Sequence, residues 1–120
     1  MAVPQRARGQ SLEEAIIIVT AAIALKRPIS AVYDNHQRYL CPHIIGWNKE
    51  DQLQTLCYQY AGTSRSGLAH RGSPSNWRCL VMSKLSAVQL LSGQWHSADK
   101  HTRPQGCIER VLLDAEKIPE

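Results

Sequence analysis

Arg38, His43, Tyr58 and Gln59 are polar or ionisable residues set inside otherwise apolar runs. The first run is Arg38-Tyr39-Leu40-Cys41-Pro42-His43-Ile44-Ile45-Gly46-Trp47, and Leu53-Gln54-Thr55-Leu56-Cys57-Tyr58-Gln59-Tyr60 answers it. A purely structural pair of strands has no need of such side chains, so they mark a surface that meets a ligand. A guanidinium presents five donors in a planar fork and suits phosphate or carboxylate oxygens. Just downstream, Gly62-Thr63-Ser64-Arg65-Ser66-Gly67 combines hydroxyls, backbone N–H groups and one guanidinium, a composition able to cradle an anion. It lacks the Gly-Lys-Ser/Thr ending of a nucleotide-binding P-loop. Arg78 follows Trp77 in the next apolar run. Arg38, His43, Tyr58, Arg65 and Arg78 are therefore the candidate ligand-binding residues, and the chemistry they suit is recognition of an anion.

A second constellation competes with this one. Cys41 and His43 are two apart and so project from the same face of a regular strand, with Cys57 on the partner run. That neighbourhood suits a metal or a thiol–imidazole enzyme. Zinc ligands usually come in close pairs such as C-x-x-C, and no such pair or fourth ligand is present. Neither residue sits at a helix start or on a loop that would activate a thiol. Paired carboxylates and a Ser-His-Asp set are also lacking. The sequence thus assigns no catalytic residue, no metal and no cofactor, and it reads as a binding module rather than an enzyme.

The positive charge is unevenly placed. The chain of 120 residues carries a net charge of +4. Between Gly62 and Gln105, Arg65, Arg71, Arg78, Lys84, Lys100 and Arg103 face the single acid Asp99. This excess favours anionic partners, foremost single-stranded nucleic acid or a nucleotide. Cys41, Cys57, Cys79 and Cys107 are widely spaced, and no apolar signal segment precedes them. They read as reduced thiols in a cytoplasmic protein. The longest apolar run, Ala15 to Leu25, is too short to span a bilayer.

The elements that must position these residues follow from periodicity. Residues 1–10 read as a disordered basic leader and 11–120 as a single domain. Ser11, with Glu14 three residues on, forms a capping box for a helix whose stripe is Leu12, Ala15, Ile16, Val19, Ala22 and Ile23. Ile17 and Ile18 lie off that stripe, so the helix has a second apolar face suited to a homodimer contact. Lys26-Arg27 and Pro28 end it. A short strand at Ile29–Tyr33 precedes a turn at Asp34-Asn35-His36-Gln37, and the two long runs form a hairpin around Asn48-Lys49-Glu50-Asp51. Its register is expected to bury Ile45 and Leu56 and to leave Arg38 accessible. Residues 61–76 form a long polar loop. Strands follow at 77–82 and 87–91, separated by a helical turn at 83–85. Ile108, Val111, Leu112 and Ala115 suggest a short terminal helix, although residues 111–113 also suit a strand. One helix followed by several short strands indicates a mainly β fold, a small bent five-stranded barrel with the helix packed on it.

This order of elements, with Arg38, Pro42, His43, Gly46, Asn48, Tyr58, Gln59, Gly62, Ser64, Ser66, Gly67 and Trp77 at matching positions, resembles small single-domain members of the WYL family. The resemblance runs from about Leu12 to Leu91. The segment from Trp77 to Leu85 is similar to that family's Phe-Arg-Leu-Asp-Arg-Ile motif and departs from it at Leu80, Val81, Ser83 and Lys84. The resemblance implies an SH3/Sm-like barrel and a ligand-sensing or nucleic-acid-sensing role, of the kind found in bacterial regulators and defence systems.

Overall fold

The structure, a computed structural model, describes residues 10–70, 72–97 and 104–118. The leader expected over residues 1–10 lies outside this range except for Gln10, which is well tied down. Its side-chain amide donates to Val88 O and accepts from Val88 N, at 3.0 and 2.9 Å.

The helix α1 spans Leu12–Leu25. It starts where the capping box places it: Glu14 N–H donates to Ser11 Oγ and Ser11 N–H donates to a Glu14 carboxylate oxygen. It stops at Lys26, which takes a left-handed conformation with φ 55° and returns its N–H to the last turn. Ala15, Val19, Ala22 and Ile23 are fully buried, whereas Ile16 and Ile18 are half-buried against the same core. Ile17 points outward, 65% exposed.

Six antiparallel strands form one sheet: β1 Ile29–Tyr33, β2 His36–Trp47, β3 Leu53–Gly62, β4 Trp77–Val81, β5 Ser86–Leu90 and β6 Arg110–Asp114. The order is β4-β3-β2-β1-β5, and β6 pairs with β2 beyond the end of β1. The fold is mainly β with one flanking helix, as the sequence implied. The terminal helix expected around Ile108–Ala115 is instead β6 followed by a single 3-10 turn. Its reason is local: β2 is more than twice as long as β1, and its distal half leaves an open edge that residues 110–114 fill. Gly46 permits this pairing, because a Cβ there would run into Arg110 O and Ile108.

The turns are tighter than the sequence indicated. Asp34 and Asn35 both have positive φ, 54° and 63°, and form a two-residue hairpin turn, so His36 and Gln37 already belong to β2. At the other end of β2, Asp51 is left-handed, with φ 63°. Asn48 holds that turn by accepting from Glu50 and Gln52 N–H. A 3-10 turn at Met82–Lys84 joins β4 to β5.

Two apolar clusters result. The larger packs α1 against Ile29, Ala31, Leu40, Ile45, Cys57, Leu80, Met82, Leu85 and Val88. The smaller gathers Cys41, Ile44, Leu56, Tyr58, Trp77 and Ile108. Ile45 and Leu56 are both buried, as the register required. Cys79 and Cys107 form a disulfide that ties β4 to the segment leading into β6. This corrects the reading of four reduced thiols, because two cysteines 28 apart in sequence meet only in the folded chain. It also removes the thiol argument for a cytoplasmic location. Among the described residues, no helix is long and apolar enough to cross a membrane.

The burial of α1 sets an unequal cost along its length. Ile23→Ala should destabilise the protein by about 2–5 kcal/mol in chemical denaturation. Ile17→Ala should stay within about 0.5 kcal/mol, as expected for an exposed site. Equal losses at both positions would show that α1 docks through a different face.

Candidate functional site

Pairing places three polar residues at one end of the core-facing side of the sheet. Leu40 lies opposite Gln59, and Cys57 lies opposite Arg78. Directly opposed residues share a face, as do residues two apart on an unbulged strand. Arg38, Gln59 and Arg78 therefore continue the face on which Leu40, Cys57 and Leu80 pack beneath α1.

Gln59 organises the group. It is fully buried. Its Nε2 donates to Ala61 O and Thr63 O, both at 3.1 Å. Its Oε1 accepts from Arg38 Nη1 and from Arg78 Nε, both at 3.3 Å. Because a guanidinium only donates, the amide orientation follows from its partners. One neutral oxygen thus holds two cations together. Burial lowers the pKa of both guanidinium groups from the ordinary arginine value, and the positive charge of Arg38 lowers Arg78 further. Asp34 acts in the opposite sense on Arg38.

The surrounding loop is built onto this pair. Arg78 donates to Ser66 Oγ and Ser64 Oγ at 3.3 Å and to Gly67 O at 2.7 Å. Gly62, opposite Arg38 with φ 92°, lets the chain leave β3 where a Cβ would strike Gln37 O. Thr63 N–H donates to Gln37 O, anchoring the loop to β2. Further on, Asn76 is buried and exchanges hydrogen bonds with the backbone of Ala69 and also donates to His70 O. The sequence marked this segment as a long polar loop; the side chains of Arg78 and Asn76 give it its shape.

Between loop and sheet lies a groove of about 310 Å³, lined by Arg38, Ser64, Arg65, Ser66, Trp77, Arg78, Cys79 and Leu80. Among the described residues, no carboxylate lines it. A second groove of about 300 Å³ adjoins it across Ser66 and Arg78. Three candidate residues, Arg38, Arg65 and Arg78, are thus brought together. Arg38 is not accessible as expected: it is only 5% exposed, because it faces the core side with Leu40, and its guanidinium lies over the Tyr33 ring, 5.3 Å from the centroid. Arg65 is the outward member, with its side chain 82% exposed.

His43 and Tyr58 are placed elsewhere. Both are buried in the smaller cluster and line neither groove. Tyr58 donates its hydroxyl proton to Ser73 O at 2.9 Å. The His43 ring packs against Trp77 and Trp95, at 4.9 and 4.5 Å between centroids, and its Nδ1 lies 2.9 Å from Cys41 O. A bulge at His43 interrupts the ladder, yet His43 stays beside Cys41 on the side of the smaller cluster, and it is Cys57 that faces the larger one. The residues that sequence reasoning missed are Gln59, as the bridge between the arginines, and Asn76. Gln59 was visible as an amide inside an apolar run.

The thiol–imidazole alternative meets the same geometry. Cys57 belongs to the larger cluster and Cys41 to the smaller. Burial pushes the Cys41 thiol up to about 11 and the Cys57 thiol up to about 12. Among the described residues, no group of three His, Cys, Asp or Glu side chains is arranged to hold a metal ion. At pH 8 a thiol with a pKa near 11 is ionised to about one part in a thousand, too little for nucleophilic chemistry. Native protein at pH 8 should therefore leave Cys41 and Cys57 unlabelled by iodoacetamide, and both should label in denaturant. A thiol whose folded pKa is raised binds its proton more tightly in the native state. Its contribution to stability is intact below the unfolded value of 9.0 and declines as pH rises towards 11 and 12. Rapid labelling of folded protein would contradict this assignment.

No family model matches the chain, and no curated protein or solved structure matches it.

Proposed function

We propose that the chain is a ligand-sensing or regulatory module that binds an anionic ligand, single-stranded nucleic acid or a nucleotide, in the groove formed by Arg38, Arg65 and Arg78. The observation that carries this reading is the convergence of Arg38 and Arg78 on the single oxygen of Gln59, in a groove that no carboxylate lines among the described residues. Two cations held together on a neutral partner favour an incoming anion, because it relieves both their repulsion and their lost hydration. Phosphate fits the donors on offer: planar guanidinium forks flanked by the hydroxyls of Ser64 and Ser66. Trp77 borders the same groove, with its ring packed in the smaller cluster.

The wider resemblance supports the same reading. The strand order β4-β3-β2-β1-β5, with a 3-10 turn joining the two outer strands, is that expected of an SH3/Sm-like barrel. On this view the chain is a single-domain relative of the WYL family, and His43 and Tyr58, which match that family, serve as supports for the aromatic cluster. A homodimer through α1 is a second reading, favoured by Ile17 and Leu25, which lie eight residues apart on one helix face and are 65% and 59% exposed. Sedimentation across a hundredfold concentration range should then show a mass that rises with concentration in the wild type and stays monomeric in Ile17→Glu.

The test of the anion site is a titration with single-stranded oligonucleotide at several salt concentrations. Arg65→Ala and Arg78→Ala should each weaken binding and flatten the log–log salt slope by about 0.7 for each phosphate that the variant no longer neutralises. Arg38→Ala should weaken it too, and Arg38→Lys should restore only part of the loss, because the planar fork is missing. Wild-type binding no tighter than that of a neutral control protein would end the nucleic-acid reading.

A further inference from the structure

Asp34 stands at the tip of the β1–β2 turn, directly beside the groove. One carboxylate oxygen lies 3.0 Å from Arg65 Nη2 and the other 3.3 Å from the same nitrogen. Its charge also acts on Arg38. The turn that carries it is fixed by two left-handed residues and tied to the arginine loop. Thr63 N–H donates to Gln37 O, and Thr63 Oγ1 lies 2.9 Å from His36 Nδ1. Such a turn asks for Asp, Asn or Gly and is indifferent to charge, so its geometry alone does not account for a carboxylate here.

We propose that Asp34 is a built-in competitor for the anion and thereby sets which ligands the groove accepts. This rests on the anion-binding reading above. A tethered carboxylate is present at an effective concentration in the millimolar range or above, so an isolated monovalent anion of similar strength displaces it poorly. A ligand with several adjacent anionic groups, as in a phosphodiester chain, engages Arg38 and Arg78 first and takes Arg65 as Asp34 yields. The groove therefore discriminates by charge multiplicity, and specificity arises from a repulsive element placed beside an attractive one.

The experiment compares wild type, Asp34→Asn and Asp51→Asn in titrations with inorganic phosphate and with a short oligothymidylate at low salt. Asn fits the left-handed site as well as Asp, so the fold is retained. Asp51 is a matched control: it too is left-handed, and it pairs with Arg110 at the opposite end of β2. Asp34→Asn should tighten binding of both probes by about tenfold, as expected for one close charge pair, and should tighten phosphate by more than oligothymidylate. Asp51→Asn should leave both unchanged. Binding by Asp34→Asn alone, with a silent wild type, would also support the proposal. If wild type binds and Asp34→Asn binds no tighter, the competitor role is overturned while the anion site stands. Equal tightening by both variants would reduce the effect to net charge and overturn it as well. If neither wild type nor Asp34→Asn binds either probe, both readings fall.

Discussion

Two guanidinium groups share one amide oxygen, and much of the site depends on how the sheet tolerates that arrangement. Bringing like charges together and out of water is unfavourable on both counts. Burial lowers the pKa of both Arg38 and Arg78, and the charge of Arg38 lowers Arg78 further. The chain answers with hydrogen bonds rather than with a buried carboxylate. Gln59 is saturated on both ends of its amide, and Arg78 is held by two serine hydroxyls and a carbonyl. An apolar residue at position 59 would leave the backbone oxygens of Ala61 and Thr63 short of a donor and both arginines short of an acceptor. Loop, sheet and charge pair are therefore one unit.

The long strand β2 makes this possible. One of its edges pairs with β3 along its length, while the other is divided between β1 and β6. Irregularities in the β2–β3 ladder, at Tyr60 and at His43, bend the hairpin and increase its twist. The bend lets one face close over α1 and the other over Tyr58 and Trp77. The arginines sit where the first of these faces runs out of apolar neighbours, next to the short β1–β2 turn and the start of the 63–73 loop. The disulfide from Cys79 to Cys107 fastens the groove's outer strand to the segment that leads into the last strand. The groove wall and the C-terminal segment are thereby held as neighbours.

Much of this was legible in the chain because its signals are local. Ser11 and Glu14 fix a helix start through contacts three residues apart, and Pro28 ends it nearby. Asp34 and Asn35 specify a tight turn through their own backbone preferences. Alternation around Ile45 and Leu56 identified buried positions. The basic, hydroxyl-rich character of residues 62–78 drew attention to Arg65 and Arg78. The C-terminal strand was less legible, since Val111, Leu112 and Leu113 suit a helix or a strand until an open edge is supplied. Arg38 was misjudged for a related reason. Charge suggested the solvent face, but alternation with Leu40 places it on the core side, and a one-residue difference in register reverses the face.

What the sequence determined by itself is the set of elements and their chemistry: one capped helix, a run of short strands, and an excess of arginine near a glycine- and serine-rich loop. These depend on spacings of a few residues, where the backbone enforces the outcome. The tertiary structure alone decided which polar groups meet. Gln59 lies 21 residues from Arg38 and 19 from Arg78, and Asp34 lies 31 from Arg65. It also decided that His43 and Tyr58 support a core, and that Cys79 finds Cys107. Contacts at such separations depend on strand order, bulges and register, which emerge from competition among all the strands for partners and burial.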